Sequence, residues 1–251
     1  MTEPRMLVLV PTRGRPANAE RLAAACAETC TGPTDLLFVV DDNDAELAGY
    51  QALFPEHFTD DGRSRAALQV QPPPERPGLA GALNAAAVPW AETGAYFAIA
   101  NLGDDHLPRT PGWDTEWLTV LGQLGTGVVY GDDLIQGELM ATAVGLTADI
   151  VRTLRWMAAP GMDHLCIDLA WVDLGAALGR LAYLPHTVIE HVHPAAGKAE
   201  HDAGYAHANS AAMVEHDSAA YYAWKEHQLA ADVASLRAAI PTLPQPERTD
   251  P

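Results

Sequence analysis

The sequence predicts an α/β protein with a mostly parallel central sheet flanked by helices. Three apolar runs, at 6–10, 36–40 and 96–100, have the length of strands and show no polar alternation, as expected of strands buried on both faces. Alanine-rich stretches at 17–30 and 79–88 lie between them and are typical of helices. Strands that alternate with helices pair in parallel, which brings the loops at their carboxyl ends to one edge of the sheet.

The second half of the chain continues this pattern with shorter elements and ends in a helical tail. We expect a single domain over 1–240, since one core can grow to about 250 residues. Residues 241–251 combine proline with charge and are expected to be disordered. The spacing predicts helices at 114–124, 163–178 and 210–239, and strands at 67–70, 128–130, 139–144 and 187–192.

The charge balance and the missing motifs exclude several classes of protein. Fifteen Lys and Arg against 33 Asp and Glu give a formal net charge of -18, which repels nucleic acid and anionic membranes. No apolar run approaches the roughly 18 residues that cross a bilayer, so we expect a cytoplasmic protein without membrane contact. The motifs GxGxxG, GxxxxGK[ST], GxSxG and HExxH are absent, which disfavours dehydrogenases, P-loop kinases, serine hydrolases and zincins.

Acidic or histidine-rich residues follow three of the predicted strands. These are the segments 41–44 (DDND), 104–106 (DDH) and 190–193 (EHVH). Any one of them could be a solvated turn, because Asp and Asn favour turns. Three such segments on parallel strands are expected to converge on one metal ion or one nucleotide.

The spacing of the histidines and carboxylates predicts a metal site. Asp104 and His106 directly follow a strand and are two residues apart, so their side chains can point the same way and bind one cation, while Asp105 points elsewhere. His191 and His193 have the same spacing, and one or both can complete the coordination. Carboxylate with imidazole suits Mn²⁺ or Zn²⁺ better than Ca²⁺.

The helix predicted at 163–178 supplies the candidate catalytic base, Asp168. His164 and Trp171 fall on the same face, and such surroundings raise a carboxylate pKa and hold an acceptor hydroxyl within reach. Asp173 and Asp163 are the competitors, although Asp163 is more simply a helix N-cap.

Two tryptophans follow a Pro-Gly turn, and one of them is a candidate acceptor contact. Trp113 beside Asp114 suits a sugar or another hydroxyl acceptor, because an apolar ring face stacks while a carboxylate accepts hydroxyl hydrogen bonds. Trp117, one helical turn beyond Asp114, is assigned to the core.

Several of these motifs together resemble a known family. VPTRGRP after the first strand, VVDDND after the second, RPGLAGALNAAA on a helix, and then ANLGDDH and a Trp-Asp pair resemble nucleotide-diphosphate-sugar glycosyltransferases of GT-A fold. The similarity covers about residues 6–200 and looks closest to phage- and actinobacterial-type members, which would act in the host cytoplasm if phage-encoded. The metal motif of this family is usually Asp-x-Asp; here it is Asp104-x-His106, as in polypeptide GalNAc-transferases.

The resemblance implies a donor half at 1–106, an acceptor and catalytic half at 107–240, and a UDP-sugar donor with Mn²⁺, or else Mg²⁺. The loop after the first strand would line the nucleotide site, and the acidic residues 41–44 after the second strand would hold the base and the ribose. Arg76, Gly78 and Asn84 would form the far wall of the site. The implied donor residues are Pro11, Thr12, Arg13, Asp41, Asp42, Asp44, Arg76, Gly78, Asn84, Asp104 and Asp105. Lys198 is expected to contact phosphate from a closing lid, with Gly197 as a hinge.

The acceptor and the rival functions stay open at this point. The negative charge favours a protein or small-molecule acceptor, although Arg63, Arg65 and Arg76 could form a basic patch for a modified DNA base. One rival is a metal-dependent phosphoesterase, and another is a binding module that keeps the donor site without turnover. Inversion at the anomeric carbon is expected if Asp168 is a base in line with that carbon, although Asp-x-His motifs also occur in retaining relatives. The oligomeric state is not predicted.

Overall fold

The structure is a computed structural model of the chain and describes residues 3–58, 64–73 and 78–240. The strands are β1 Met6–Pro11, β2 Thr34–Asp41, β3 Ser64–Gln71, β4 Ala98–Asn101, β5 His106–Pro108, β6 Val128–Asp132, β7 Val144–Thr147 and β8 Leu181–His191. The helices are α1 Pro16–Thr29, α2 Leu47–Leu53, α3 Gly78–Glu92, α4 Trp113–Leu124, α5 Ala148–Leu154, α6 Ile167–Leu178, α7 Ala203–Ala208, α8 Ala211–His227 and α9 Leu229–Ala239.

The strands form a curled sheet in the order β3-β2-β1-β4-β7-β6-β8-β5. Four neighbouring pairs are parallel, whereas β7 runs antiparallel to β4 and β6, and β5 runs antiparallel to β8. This confirms the predicted α/β class with a mostly parallel sheet. Strands β2 and β3 lie in turn on one side of β1, and β4 pairs with β1 on its other side. This reversal of the strand order leaves a crevice at the carboxyl ends of β1 and β4.

Both faces of the sheet are covered, which explains the continuous apolar runs. Every side chain from Met6 to Val10 is fully buried. Leu7 and Leu9 belong to one core cluster with α3, α5 and α6, while Met6 and Val8 belong to a second cluster with α1 and α4. Alternate residues of one strand therefore support two separate helical layers.

Helix α6 begins at Ile167 rather than at the expected residue 163. The backbone N–H groups of Asp163, His164 and Leu165 bond to the buried carboxylate of Asp217 instead of entering a helix. Asp163 is therefore not the N-cap that the sequence suggested.

Other boundaries shift by a few residues. Strand β7 begins at Val144, since residues 137–139 form a short 3-10 helix, and β8 begins at Leu181. The helical tail divides at Gln228 into α8 and α9, and the short helices α2, α5 and α7 were not predicted. The tail at 241–251 lies outside the described residues. Within the part of the chain described, no helix has the length and hydropathy needed to span a bilayer.

A bulge where β6 pairs with β8 positions the residues after β6. The register shifts between Gly131 and Asp132, and a Cβ atom on Gly131 would overlap the carbonyl oxygen of Thr187. Only glycine allows this close approach, and the bulge directs Asp133 toward the carboxyl end of β8.

Candidate active site

The three clusters predicted from the sequence meet at one edge of the sheet. Strands β1, β2 and β4 pair in parallel, so the loops that follow them lie side by side. The end of β8 joins them because the antiparallel pairing of β5 with β8 places His106 opposite His191.

Asp105, His106 and His191 form a compact cluster whose ligand atoms all lie within 4.8 Å of one another. Asp105 Oδ1 is 3.3 Å from His106 Nδ1, and Asp105 Oδ2 is 3.4 Å from His191 Nε2. The two imidazole rings stack with their centroids 4.2 Å apart. Carboxylate with imidazole is a donor set that suits Mn²⁺ or Zn²⁺.

The charges in this cluster are strongly coupled. Burial opposes ionisation of Asp105, but both imidazoles outweigh it and lower the pKa of Asp105 well below its usual value. Burial also opposes a charge on His191, whereas contacts with Asp105 and Asp133 raise the pKa of His191 to about 9. Burial, and then the neighbouring His191, lower the pKa of His106.

One buried polar atom of this cluster has no partner among the described protein groups. His106 Nε2 is buried and has no hydrogen-bond partner among the described residues. An unpaired buried polar atom costs about 1–3 kcal/mol, and native proteins satisfy such atoms with protein groups, water or ligands. The donor set and this unpaired atom together fit a bound divalent cation with its own ligands.

Asp104 faces the first loop rather than His106. Its carboxylate accepts hydrogen bonds from Thr12 Oγ1 at 2.5 Å and from Arg15 and Asn18 at 3.4 Å. Burial raises the pKa of Asp104. The structure therefore corrects the predicted Asp104 and His106 pair, since Asp105 is the carboxylate that lies against His106.

The first loop and the acidic loop after β2 are tied together. Arg13 donates to Asp41 at 3.2 Å and to Asn43 at 2.8 Å. Asp44 is buried and accepts a hydrogen bond from the backbone N–H of Gly14 at 2.9 Å. The side chains of Arg13 and Asp41 stay partly exposed, whereas Asp44 stabilises the loop.

Two residues predicted for the far wall have structural partners instead. Asn84 accepts hydrogen bonds from the N–H groups of Met157 and Ala158 and donates to the Ala158 carbonyl. Gly78 has a φ of 85° and lies so close to Asp163 that a Cβ atom would overlap the Asp163 carbonyl. Asn84 thus holds a buried backbone segment, which corrects its assignment to the donor.

The remaining predicted donor residues are less defined by contacts. Pro11 ends β1 and is half-buried, and Asp42 is exposed on the acidic loop. Arg76 lies outside the described residues, as does Arg63.

Asp168 lies in the first turn of α6, where its carboxylate accepts the N–H of Leu169. Burial raises the pKa of Asp168, the backbone N–H of Leu169 opposes this shift, and the charges of His191 and Asp133 also act on the carboxylate. Trp171 is 2 % exposed and donates to the Met157 carbonyl. Trp171 is a core residue, contrary to its predicted acceptor role.

His164 and Asp173 have different surroundings. Burial lowers the pKa of His164, and the charges of Asp217, Arg15 and Asp105 also act on its ring. Asp173 pairs with Tyr221 at 2.6 Å and with Lys225 at 2.8 Å. These contacts tie α6 to α8 and remove Asp173 as a competing base.

Trp113 and Asp114 are both fully buried, which corrects their assignment to the acceptor. Asp114 accepts hydrogen bonds from the N–H groups of Thr31 and Gly32 and from the Thr34 hydroxyl. Trp113 packs edge-on against Trp117 in the core. The placement of Trp117 in the core is confirmed.

The segment after β8 folds back over the crevice. Lys198 Nζ lies 2.8 Å from Glu190, which Arg109 also contacts at 2.7 Å. The ring of His193 is 4.9 Å from that of His191, and burial followed by the charge of His191 lowers the pKa of His193. Lys198 is thus paired with a carboxylate in this conformation.

Sequence reasoning missed Arg15, Asp202, Tyr205 and Asp133. Arg15 donates to both carboxylate oxygens of Asp202, at 2.8 and 2.7 Å, and its guanidinium stacks 4.2 Å above the Tyr205 ring. The Tyr205 hydroxyl donates to Asp105 at 2.6 Å. Only Arg15 had a sequence signal, because it belongs to the VPTRGRP segment. A polar cleft of about 430 Å³ lies here, lined in part by Asn18, Arg15, Lys198, Asp202 and Tyr205.

Comparison with known proteins supports the fold. No protein-family model and no curated protein match the sequence. Among solved structures, the mannosyltransferase PcManGT from Pyrobaculum calidifontis, in complex with GDP-Man and Mn²⁺, superposes with a TM-score of 0.56 at 13% identity, covering 95% of this chain and 74% of that one.

Two further structures are similar. Glucosyl-3-phosphoglycerate synthase from Mycobacterium tuberculosis, in complex with Mn²⁺, UDP and glucosyl-3-phosphoglycerate, gives a TM-score of 0.51 at 11% identity, covering 97% and 82% of the two chains. The 1–349 portion of S. aureus TarS in complex with UDP gives 0.51 at 10% identity, and this chain, matched over 74% of its length, spans 59% of it. The chain therefore has the GT-A fold of nucleotide-diphospho-sugar glycosyltransferases. The phage- and actinobacterial-type resemblance stays a prediction.

Proposed function

We propose that this chain is a metal-dependent glycosyltransferase that moves a sugar from a nucleotide-diphosphate sugar, a UDP-sugar, to a hydroxyl acceptor. The observation that carries the proposal is the convergence of Asp105, His106 and His191 beside the first loop of a GT-A fold. Structures of similar fold hold GDP-Man with Mn²⁺ or UDP with Mn²⁺.

The donor is proposed to lie across the crevice between the first loop and the acidic loop. Arg13 and Asp41 offer polar groups for the base and ribose, and Asp104, held by Thr12, offers a buried carboxylate for a ribose hydroxyl. Lys198 can leave the carboxylate of Glu190 and bind a phosphate oxygen of the donor instead, because both groups are anionic. The segment that carries Lys198 lines the cleft beside Arg15 and Tyr205.

Asp105 and the neighbouring imidazoles are proposed to hold a divalent cation, with Mn²⁺ as the preferred ion. The chemistry that a divalent cation supplies at such a site is neutralisation of the charge on the departing diphosphate. His193 lies one imidazole further from Asp105 and is a candidate additional ligand.

Asp168 is proposed as the general base. The acceptor oxygen attacks the anomeric carbon and passes its proton to Asp168, while the bond from that carbon to the phosphate oxygen breaks and its electron pair leaves with the nucleoside diphosphate. The pKa of Asp168, raised by burial, makes this carboxylate a better base than an exposed one. Direct attack inverts the configuration at the anomeric carbon.

The acceptor is proposed to be a protein or small molecule rather than a DNA base. The net charge of -18 opposes approach of a polyanion. The loop after β6 also exposes Leu134, Ile135 and Leu139, which suits an acceptor with apolar surface.

Product identity tests the proposal. The full chain is incubated with each UDP-sugar and GDP-sugar in Mn²⁺, beside Asp168→Asn, and the nucleotide products are separated by anion-exchange chromatography. Metal-dependent release of UDP or GDP, strongly reduced in the variant, supports glycosyl transfer to an acceptor or to water.

Two other results would contradict it. Release of UMP or GMP would show cleavage of the diphosphate and favour the phosphoesterase rival. Metal-dependent nucleotide binding without any release, identical in Asp168→Asn, would favour the binding module.

A further inference from the structure

We propose that Gln71 is a specificity-determining residue of the donor site, whose side-chain amide donates a hydrogen bond to a carbonyl oxygen of the nucleobase. Together with the carboxylate of Asp41, it selects bases that present a carbonyl beside a ring N–H group, uracil and guanine, over cytosine and adenine. The inference rests on the proposed function, because it concerns the nucleotide of the same donor.

Gln71 ends strand β3 beside the acidic loop. In the parallel register of β2 and β3 it lies opposite Asp41, and its carbonyl accepts the backbone N–H of Asp42 at 2.8 Å. Val39 and Ala67, an even number of residues earlier in the two strands, pack in the core cluster that contains α3. Neighbouring strands are about 4.8 Å apart, and every second residue of a strand shares one face. The side chains of Gln71 and Asp41 therefore lie side by side on the α3 face of the sheet.

Hydrogen bonds fix which end of the Gln71 amide is the donor. The indole N–H of Trp90 can only donate, and it donates to Gln69 at 3.0 Å, so the accepting atom of Gln69 is Oε1. Gln69 Nε2 then donates to Gln71 at 3.3 Å, so the accepting atom of Gln71 is also Oε1. The other end of the Gln71 amide is therefore Nε2, a donor with two N–H bonds.

The Nε2 group of Gln71 is buried without a protein partner. Gln71 is 8 % exposed, and its Nε2 has no hydrogen-bond partner among the residues that the structure describes. An unpaired buried donor is unfavourable, and native proteins satisfy such groups with a protein group, water or a ligand. Because Gln71 borders the loop proposed to hold the base and the ribose, a base carbonyl is the ligand group that fits this donor.

Gln71 and Asp41 together match one kind of base edge. Gln71 supplies a donor, and Asp41 beside it supplies an acceptor. Uracil presents the O4 carbonyl beside N3–H, and guanine presents the O6 carbonyl beside N1–H, so both bases complement this pair. Cytosine and adenine present an amino group beside a ring nitrogen without a proton, which would set donor against donor and acceptor against acceptor. A site built on such hydrogen bonds rejects a ligand that leaves its polar groups unpaired.

A comparison of nucleotides of matched size tests the assignment. The dissociation constants of UDP, CDP, GDP and ADP are measured by calorimetry with the full chain in Mn²⁺. Within the pair that binds more tightly, UDP with CDP or GDP with ADP, we expect UDP or GDP to bind about 10- to 100-fold more tightly than its amino counterpart. Equal affinities within that pair would overturn the proposal without any variant. Absence of binding by all four nucleotides would instead reject the donor site of the proposed function.

Two variants assign the discrimination to Gln71. Gln71→Met keeps the length of the side chain and removes the donor, so the preferred UDP or GDP should bind about 10-fold more weakly while its amino counterpart changes less than about threefold. Gln123→Met makes the same change on the exposed surface of α4 and should leave these constants unchanged. Full discrimination in folded Gln71→Met, as expected if water pairs with Nε2, would overturn the proposal.

Discussion

Asp217 is predicted to be a large contributor to stability, and its contribution should depend on pH. Its fully buried carboxylate accepts the N–H groups of Asp163, His164 and Leu165 at 2.9, 2.8 and 2.5 Å and contacts His216 at 2.8 Å. Burial opposes ionisation, but the N–H groups and His216 outweigh it and lower the pKa of Asp217.

The magnitude follows from these bonds. A hydrogen bond to a charged group contributes about 1.5–3 kcal/mol, and Asp217→Asn keeps one acceptor oxygen while it removes the charge and the second oxygen. We expect the free energy of unfolding to fall by about 2–4 kcal/mol at pH 7. Because the folded pKa is lowered, the ionised group stabilises the protein above about pH 4, the pKa of Asp in an unfolded chain. This stabilisation is lost as the pH falls through the folded pKa.

Urea unfolding followed by circular dichroism at pH 7, 5 and 3.5 measures the effect. The difference between the unchanged chain and Asp217→Asn should be smaller at pH 3.5 than at pH 5. A difference below about 0.5 kcal/mol at pH 7, or one that is larger at pH 3.5 than at pH 5, would refute the reasoning.

Three further predictions concern the site and the core. Asp168→Asn should slow transfer by about 100- to 10,000-fold while the calorimetric Kd of the nucleotide changes less than about threefold; a parallel loss of binding would contradict the base role. Trp113→Ala should lower the free energy of unfolding by about 3–5 kcal/mol in urea, and a normal stability with a raised acceptor KM would return Trp113 to the acceptor site. Gly131→Ala should destabilise by about 1–3 kcal/mol because its Cβ meets the Thr187 carbonyl, whereas the exposed helical control Gly122→Ala, which meets nothing within 4 Å, should stabilise by about 0.5–1 kcal/mol; equal effects would contradict the packing at Gly131.

The sheet could be predicted because burial on both faces leaves a pattern in the chain. Strands β1 and β2 were predicted within two residues at each end, since the central positions of both strands, between the helical layers, are apolar. Helix α6 was extended four residues too far, because the contact of Asp217 with the segment before it joins positions over fifty residues apart.

The three polar clusters were also predictable, but the direction of single side chains within them was not. Asp104 and Asp105 lie in a turn after β4 rather than in the strand, so the alternation of strand side chains does not apply to them. In the sequence, Asp133 looks like a solvated turn residue and Asp217 like a polar residue on the surface of a helix, because their backbone partners become visible only in the fold. Asn84 likewise lies within helix α3, and the sequence does not show in which direction its side chain points.

The most direct test of the central claim is a calorimetric titration of the full chain with UDP and GDP, in Mn²⁺ and then in EDTA, beside Asp105→Asn. The account predicts that a nucleoside diphosphate binds in Mn²⁺, and that EDTA and the variant each abolish binding, because Asp105 is the carboxylate shared by both imidazoles. Absence of binding by either nucleotide in Mn²⁺, or binding unaffected by EDTA and by Asp105→Asn, would contradict it.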